Sequence, residues 1–263
     1  RGGRGKGRGG RGQAAAIASM VQRASSDYGI DPNKVFITGL SAGGAMTASM
    51  LAAYPDVFKA GAIFAGIPHR CASSQTQAFN CMFSEQNISP SEWARRVTNE
   101  APAGSTFPRV SVWHGTSDYT VREFAGEALV DQWTAVHGLD QSADAVEMVG
   151  GEERREHRAA NGTVLVERWV LPNMGHGTPV SASEGCGRAG AFVIERGTCS
   201  SRYAAEFFGL IEGSTPMMDA GVMDSGAMDA GPADTGTVDA GFDASEMDAG
   251  PADAGEEDAG PMD

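Results

Sequence analysis

The sequence predicts an α/β protein, a mostly parallel sheet with helices on both faces, and two observations carry that prediction. Short β-branched or aromatic runs alternate with longer stretches whose apolar residues recur at helical spacing, the signature of strand–helix–strand units. One of the strands runs straight into Gly39-Leu40-Ser41-Ala42-Gly43 and then into a stretch of small residues suited to a helix. The elements follow in order. In Gln13–Asp27 the residues Ile17, Met20, Val21 and Ala24 fall at i, i+3, i+4 and i+7, and Tyr28 extends the stripe to a stop at Gly29, which predicts an amphipathic helix. Asp31-Pro32-Asn33 turns the chain into a strand at Val35–Thr38. Gly44–Tyr54, rich in Ala and Met, suits a helix packed close to its neighbours.

Ala60–Ala65 and Arg109–Trp113 read as strands. Glu123–Val136 reads as a helix with Phe124, Leu129, Trp133 and Val136 inward and Gly138 as its stop. Arg154–Ala159 and Thr163–Leu171 flank Ala160-Asn161-Gly162, a hairpin signal. Ser201–Phe208 reads as a last helix. Between Ile67 and Thr106 the alternation breaks, around Cys71, Cys81 and a short helix opened by Ser89-Pro90-Ser91-Glu92, a capping box. This stretch is expected to be an insertion over the functional site.

The 263-residue chain has a net charge of -14, unevenly spread. Residues 1–12 carry five Arg/Lys and no acid, and residues 213–263 carry thirteen Asp/Glu and no base, which leaves residues 13–212 at a mild -6. The acidity belongs to the tail, and the charge balance speaks against a nucleic-acid partner. No run approaches the roughly 18 apolar residues of a spanning helix. The opening R-G-G-R-G-K-G-R-G-G-R-G has no aromatic residue on which a base could stack, so it reads as a low-complexity leader rather than an RNA-contacting segment. In the tail Asp recurs at Asp219, Asp224, Asp229, Asp234 and Asp239, then from Asp243 to Asp263 with the same five-residue period. Such a composition cannot build a core and repels itself, so a disordered Asp/Ala/Gly linker is expected over 213–263. A calcium-binding repeat is the alternative. The folded domain is expected over residues 13–212.

Strand, Gly-x-Ser-x-Gly, helix is the nucleophile elbow. The turn forces Ser41 into a strained conformation and exposes its hydroxyl at a helix start, where backbone N–H groups favour developing negative charge. Gly39 and Gly43 are expected because a Cβ at either position would strike its neighbours. A serine of this kind needs an acid and then a base later in the chain. His176, in the loop Asn173-Met174-Gly175-His176-Gly177 just after a strand, is the candidate base, and Asp118, in the loop after the strand ending at Trp113, is the candidate acid. His114 also follows a strand but precedes Asp118, the wrong order for the base. His157, among Glu152, Glu153, Arg154, Arg155, Glu156 and Arg158, reads as part of a solvated face. His137 reads as a helix cap, His69 falls in the insertion, and Asp131 and Asp140 read as surface. Four cysteines with no C-x-x-C and no Cys/His cluster speak for disulfides in an exported protein rather than a zinc or redox site. Cys71 with Cys81, and Cys186 with Cys199, are the local pairings. No metal and no organic cofactor is expected.

Five segments carry a family resemblance: D-P-N-K-V-F-I-T-G-L-S-A-G-G-A-M at 31–46, Y-P-D-V-F at 54–58, A-G-I-P-H-R-C-A at 65–72, W-H-G-T-S-D at 113–118 and M-G-H-G-T-P-V at 174–180. They resemble the extracellular polyhydroxyalkanoate (PHB) depolymerase and esterase family, from about Gln13 to Leu210. The resemblance implies an α/β-hydrolase fold, kinship with secreted acetylxylan and feruloyl esterases, Ser41 as nucleophile, His176 as base and Asp118 as its orienter. It leads to the expectation of a secreted bacterial serine esterase acting on a polymeric hydroxyacid ester, with a feruloyl or acetylxylan ester as the alternative. A non-catalytic surface-binding protein with a degenerate hydrolase domain is the rival class. Nucleic acid and a membrane span are not expected, and the tail is expected to tether the domain to a cell-surface anchor or a binding module. Members of the family begin with several strands and an oxyanion loop, where this sequence has only the Arg/Gly run. The expectation is therefore an N-terminally incomplete domain lacking the first strands, with Val35–Thr38 near the centre of the sheet and left with an unpaired edge. The backbone N–H of Ala42 is then one oxyanion donor, and the second has no counterpart.

Overall fold

The structure, a computed structural model, describes residues 12–211. The leader read at 1–12, apart from Gly12, and the linker read at 213–263 lie outside the described residues. The first half runs α1 (Gln13–Tyr28), β1 (Phe36–Leu40), α2 (Ala42–Ala53), β2 (Ala60–Phe64), α3 (Gln75–Phe83), α4 (Pro90–Thr98) and β3 (Arg109–Gly115). The second half runs α5 (Phe124–Val136), β4 (Ala145–Val149), β5 (Glu152–Arg158), β6 (Val164–Leu171), β7 (Thr178–Val180), β8 (Val193–Glu195) and α6 (Ser200–Phe208).

Six strands form one sheet in the order β1-β2-β3-β6-β5-β4. The first four are parallel, and β5 and β4 join antiparallel. Side chains alternate across a strand, and the two faces divide accordingly. On one face Ile37, Ile63, Val110, Val112 and Val166 pack with Leu51 of α2, Val97 of α4 and Leu129 and Trp133 of α5, while Ile17 and Val21 of α1 lie over the margin. On the other face Phe36, Leu40, Phe64, Trp113, Trp169 and Leu171 pack with Ala204, Phe207 and Phe208 of α6. The rings of Trp113 and Trp169 stack at 4.2 Å, and those of Phe36 and Phe208 at 4.7 Å. Helices thus cover both faces, as the sequence predicts.

Two features differ from the sequence reading. The segment between Ile67 and Thr106 serves the core: α4 buries Trp93 and Val97 against its neighbours. The end of α3 reaches the loop after β3, where the Arg122 N–H donates to the Met82 carbonyl at 2.9 Å. Half of the capping box forms. Ser89 accepts from the Glu92 N–H, while the Glu92 carboxylate turns to Arg95 instead of back to the cap. Second, His157 is buried at 2% exposure, because β5 lies inside the sheet between β6 and β4. β1 is an outer strand among the described residues, with the unpaired edge expected for Val35–Thr38, and it is half-buried where β2 is wholly buried.

Candidate active site

Ser41 stands alone between the end of β1 and the start of α2, with φ 58° and ψ -118°. A positive φ is uncommon for a residue with a Cβ, and local bonds hold it. The Ser41 N–H donates to the Phe64 carbonyl at the end of β2 (2.9 Å), and the Ser41 carbonyl accepts from Ala45 (3.0 Å) to begin α2. A Cβ on Gly39 would lie 2.2 Å from the Gly43 carbonyl oxygen, so that position admits only glycine. The reading of Gly43 needs correction: nothing lies within 4 Å of its Cβ position, and the close approach falls one residue later. A Cβ on Gly44 would come within 2.9 Å of the Phe64 carbonyl, since it is Gly44 that faces β2.

Asp118 and His176 come together on neighbouring loops. After β3 the chain turns through Thr116 and Ser117, whose N–H groups donate to the carbonyls of Leu171, at the end of β6, and of Met174 on the loop that follows. At Gly115 the two loops touch, for a Cβ there would lie 2.2 Å from the Met174 carbonyl oxygen. Asp118 is 3% exposed. Its Oδ1 accepts from the N–H groups of Thr120 (2.9 Å) and Val121 (2.8 Å). Its Oδ2 accepts from Nδ1 of His176 at 2.7 Å. A carboxylate can only accept, so this bond puts a proton on Nδ1, and in the neutral tautomer that matches it the lone pair is on Nε2.

His114 has a part that the sequence reading missed. It lies in β3, 1% exposed, and its Nε2–H donates to the Val121 carbonyl at 2.7 Å while Nε2 sits 3.6 Å from Oδ2 of Asp118. Burial, then the charge of Arg168, holds its pKa down to about 4, so the ring is neutral. A ring so enclosed has no access to a substrate; it pins the turn whose amides hold Asp118. The strand alternation that turns His114 inward was the available signal. His69 is also buried, its Nδ1 3.3 Å from Oγ of Ser49 and its backbone bonded to Gln132, and burial first, then Arg70, lowers its pKa to about 4. His137 caps α5 and bonds to the Pro108 carbonyl at 3.1 Å.

Ser41, Asp118 and His176 follow the carboxyl ends of β1, β3 and β6, three parallel strands of one sheet, where open α/β sheets place their ligand sites. No hydrogen bond joins the Ser41 hydroxyl to His176 among the described residues, whereas the Asp118–His176 bond is formed. Ala42, the first residue of α2, is exposed. The cysteines pair as the spacing suggested, Cys71 with Cys81 and Cys186 with Cys199. Among the described residues no helix is long and apolar enough to cross a membrane.

A parallel sheet with a left-handed serine turn, and with the loops of Asp118 and His176 joined at the same end, defines an α/β-hydrolase. The chain matches the prolyl oligopeptidase family over residues 3–168 and belongs to that family. It is 43% identical over 206 residues to a poly(3-hydroxyalkanoate) depolymerase C of Paucimonas lemoignei, covering 77% of this chain and 50% of that protein. It is 35% identical over 175 residues to an acetylxylan esterase of Coprinopsis cinerea, covering 65% of this chain and 46% of that protein. Among solved structures, an acetyl xylan esterase from Aspergillus awamori superposes with a TM-score of 0.63 at 25% identity, over 76% of this chain and 68% of that one. The chain spans about half the length of the curated relatives it matches. The resemblance to depolymerases and esterases read from the sequence is borne out in these relatives.

Proposed function

We propose that the chain carries the catalytic centre of a serine carboxylic ester hydrolase. Ser41 attacks the ester carbonyl, and Nε2 of His176 takes its proton and returns it to the leaving alcohol. Asp118 holds the imidazole by its Nδ1–H and stabilises the imidazolium. The acyl-enzyme so formed is hydrolysed by water along the same route in reverse. The Ala42 N–H, at the start of α2, is the assigned donor to the developing oxyanion. No step calls for a metal or an organic cofactor. The observation that carries the proposal is the 2.7 Å bond between His176 and a buried Asp118 at the sheet end where Ser41 also stands.

The first substrate class is a polyester of hydroxyacids, after the depolymerase relative; feruloyl or acetylxylan esters are the alternative, after the esterases. Two disulfides support a secreted protein. We further assign the acidic residues after Glu212 as a spacer that tethers this domain to a bacterial surface anchor or a binding module. The direct test is labelling with a fluorophosphonate, with the adduct located by peptide mass. An adduct on Ser41, lost in Ser41→Ala together with hydrolysis of p-nitrophenyl butyrate, is the expected result. An unlabelled Ser41 in the folded chain would leave the rival of a non-catalytic binding domain.

A further inference from the structure

Beside His176 the chain makes an excursion whose purpose the triad does not explain. After β7 it leaves at Ser181, returns as β8 parallel to β7, and is closed by the Cys186–Cys199 disulfide. Within it Gly190 and Val193 bond to each other through their N–H and carbonyl groups at 2.8 and 3.1 Å, closing a four-residue turn with Ala191 and Phe192 at its centre. Phe192, the third residue, has φ 60°. A turn that needs a positive φ at its third position alone favours glycine there, or asparagine. Here an aromatic residue adopts it. Burial does not account for the choice, because Phe192 is 59% exposed. Its ring meets the imidazole of His176 edge to face, with centroids 5.9 Å apart.

The turn is fastened to the base loop as well. The Phe192 carbonyl accepts from the Thr178 N–H at 2.9 Å, and a Cβ on Gly177 would lie 2.6 Å from that same oxygen. The residue after the base therefore has no room for a side chain, and the backbone of Phe192 cannot drift from His176 without moving the loop. A strained, exposed aromatic residue whose backbone is fastened beside the proposed base is an outlier that asks for a functional reading.

We infer that Phe192 is the specificity-determining wall for the alcohol side of the ester, contacting its apolar part as the bond is cleaved. The inference rests on the proposed triad and adds which half of the substrate this residue reads. Nε2 of His176 must reach the leaving oxygen, so whatever is attached to that oxygen passes the surface that borders the imidazole. The acyl group stays on Ser41, on the other side of the transferred proton. An exposed phenyl face at the border favours alcohols with an alkyl chain, as each chain of a hydroxyacid polyester supplies.

The test compares kcat/KM for methyl acetate, butyl acetate and methyl butyrate in the wild type, Phe192→Gly and Phe192→Leu. Glycine relaxes the positive φ, so Phe192→Gly should melt at or above the wild-type temperature. It should lose about tenfold on butyl acetate, within reach of one apolar contact, and less than twofold on methyl acetate and methyl butyrate. Phe192→Leu should keep most of the butyl acetate rate. Should Phe192→Gly melt lower, Phe192→Asn, which also tolerates a positive φ, carries the same comparison. An unchanged preference for butyl over methyl acetate overturns the inference, as does a loss confined to methyl butyrate or an equal fall on all three esters. A wild type that hydrolyses none of them and takes no fluorophosphonate brings down the triad and this inference together. An active wild type with unaltered selectivity in the variants brings down only the inference.

Discussion

The arm of the site that carries Asp118 and His176 is buried and cross-tied, whereas the arm that carries Ser41 stands on an outer strand. Asp118 uses both oxygens, His114 pins the turn behind it, and the loop after β3 donates backbone bonds to the end of β6 and the loop that follows it. On the other side β1 is half-buried, α1 over it has no buried residue, and Ser41 depends on one bond to β2 and on the start of α2. The difference teaches where preorganisation lies. The Asp118–His176 arm is fixed by redundant bonds, so single losses there should be absorbed in part unless they remove an atom that reacts in the proposed mechanism. Ser41, the proposed nucleophile, is fixed by backbone fit at two glycines, and that fit should tolerate nothing.

The largest expected effects remove reacting atoms from either arm. Ser41→Ala and His176→Ala should each lower kcat on p-nitrophenyl butyrate by about 10⁴-fold or more, with melting temperatures near the wild type. Because the triad acts as a unit, the double variant should be no worse than either single one. A His114→Ala variant more damaging than His176→Ala would show that the base has been assigned to the wrong histidine.

Next come the two glycines at which a Cβ would sit 2.2 Å from a carbonyl oxygen, Gly39 against Gly43 and Gly115 against Met174. Both alanine variants should lose most of their activity. They should differ in stability. Gly115→Ala forces apart two buried loops, and a loss of about 3 kcal/mol or more is expected by chemical denaturation. Gly39→Ala distorts an outer strand that can yield, so its stability loss should be the smaller while its activity loss is as great. Equal losses of stability would erase the contrast between the arms.

His114 offers a finer test. Its role is to hold the turn of residues 118–121 through the Val121 carbonyl, so His114→Leu should lower kcat about tenfold with KM little changed, as displacement of catalytic groups does. His114→Gln, which keeps a donor in reach, should recover most of that loss. If His114→Leu matches the wild type in kcat, the bonds to Asp118 from Thr120 and Val121 suffice without it.

How far the sequence reveals these arms follows from which interactions are local. Ser41 announces itself because strand, tight turn and helix are consecutive in the chain, and the loops of Asp118 and His176 each follow their own strand. Gly44 escapes such reading because its close neighbour, the Phe64 carbonyl, is twenty residues away. The burial of His157 is equally non-local: β5 reads Glu-Glu-Arg-Arg-Glu-His-Arg, and its charges are absorbed by pairs such as Arg154 with Glu147 and Arg196 with Glu152. α3 hides for a different reason, since Gln75–Phe83 buries only Cys81 and so shows no apolar stripe. The strands β7 and β8 have three residues each and pair with each other across a disulfide-closed excursion. Phe192 cannot be read before that turn is known.

The smallest effect on catalysis, and a clear one on stability, is expected at Glu167 on β6. It is buried on the face opposite to Arg168, accepting from Ser111 Oγ, which in turn accepts from Trp113 Nε1. Burial chiefly raises its pKa from 4.5 to about 7. Between those values the unfolded chain releases the proton and the folded one keeps it, so this group lowers stability as pH rises from about 4.5 to 7. Linkage puts the total at up to about 3 kcal/mol. The buried imidazoles of His69 and His114 act in the other direction. Their values near 4 mean that the unfolded chain takes up protons first, so they lower stability as pH falls from about 6.5 towards 4. The two effects oppose each other in the wild type. Glu167→Gln keeps an acceptor for Ser111 and removes one of them, so its melting temperature relative to the wild type should rise between pH 4.5 and pH 8. Its kcat should remain within about twofold, because nothing in the Asp118–His176 arm touches it. A melting difference that is the same at both pH values would mean that Glu167 holds its charge in the fold, paired rather than protonated.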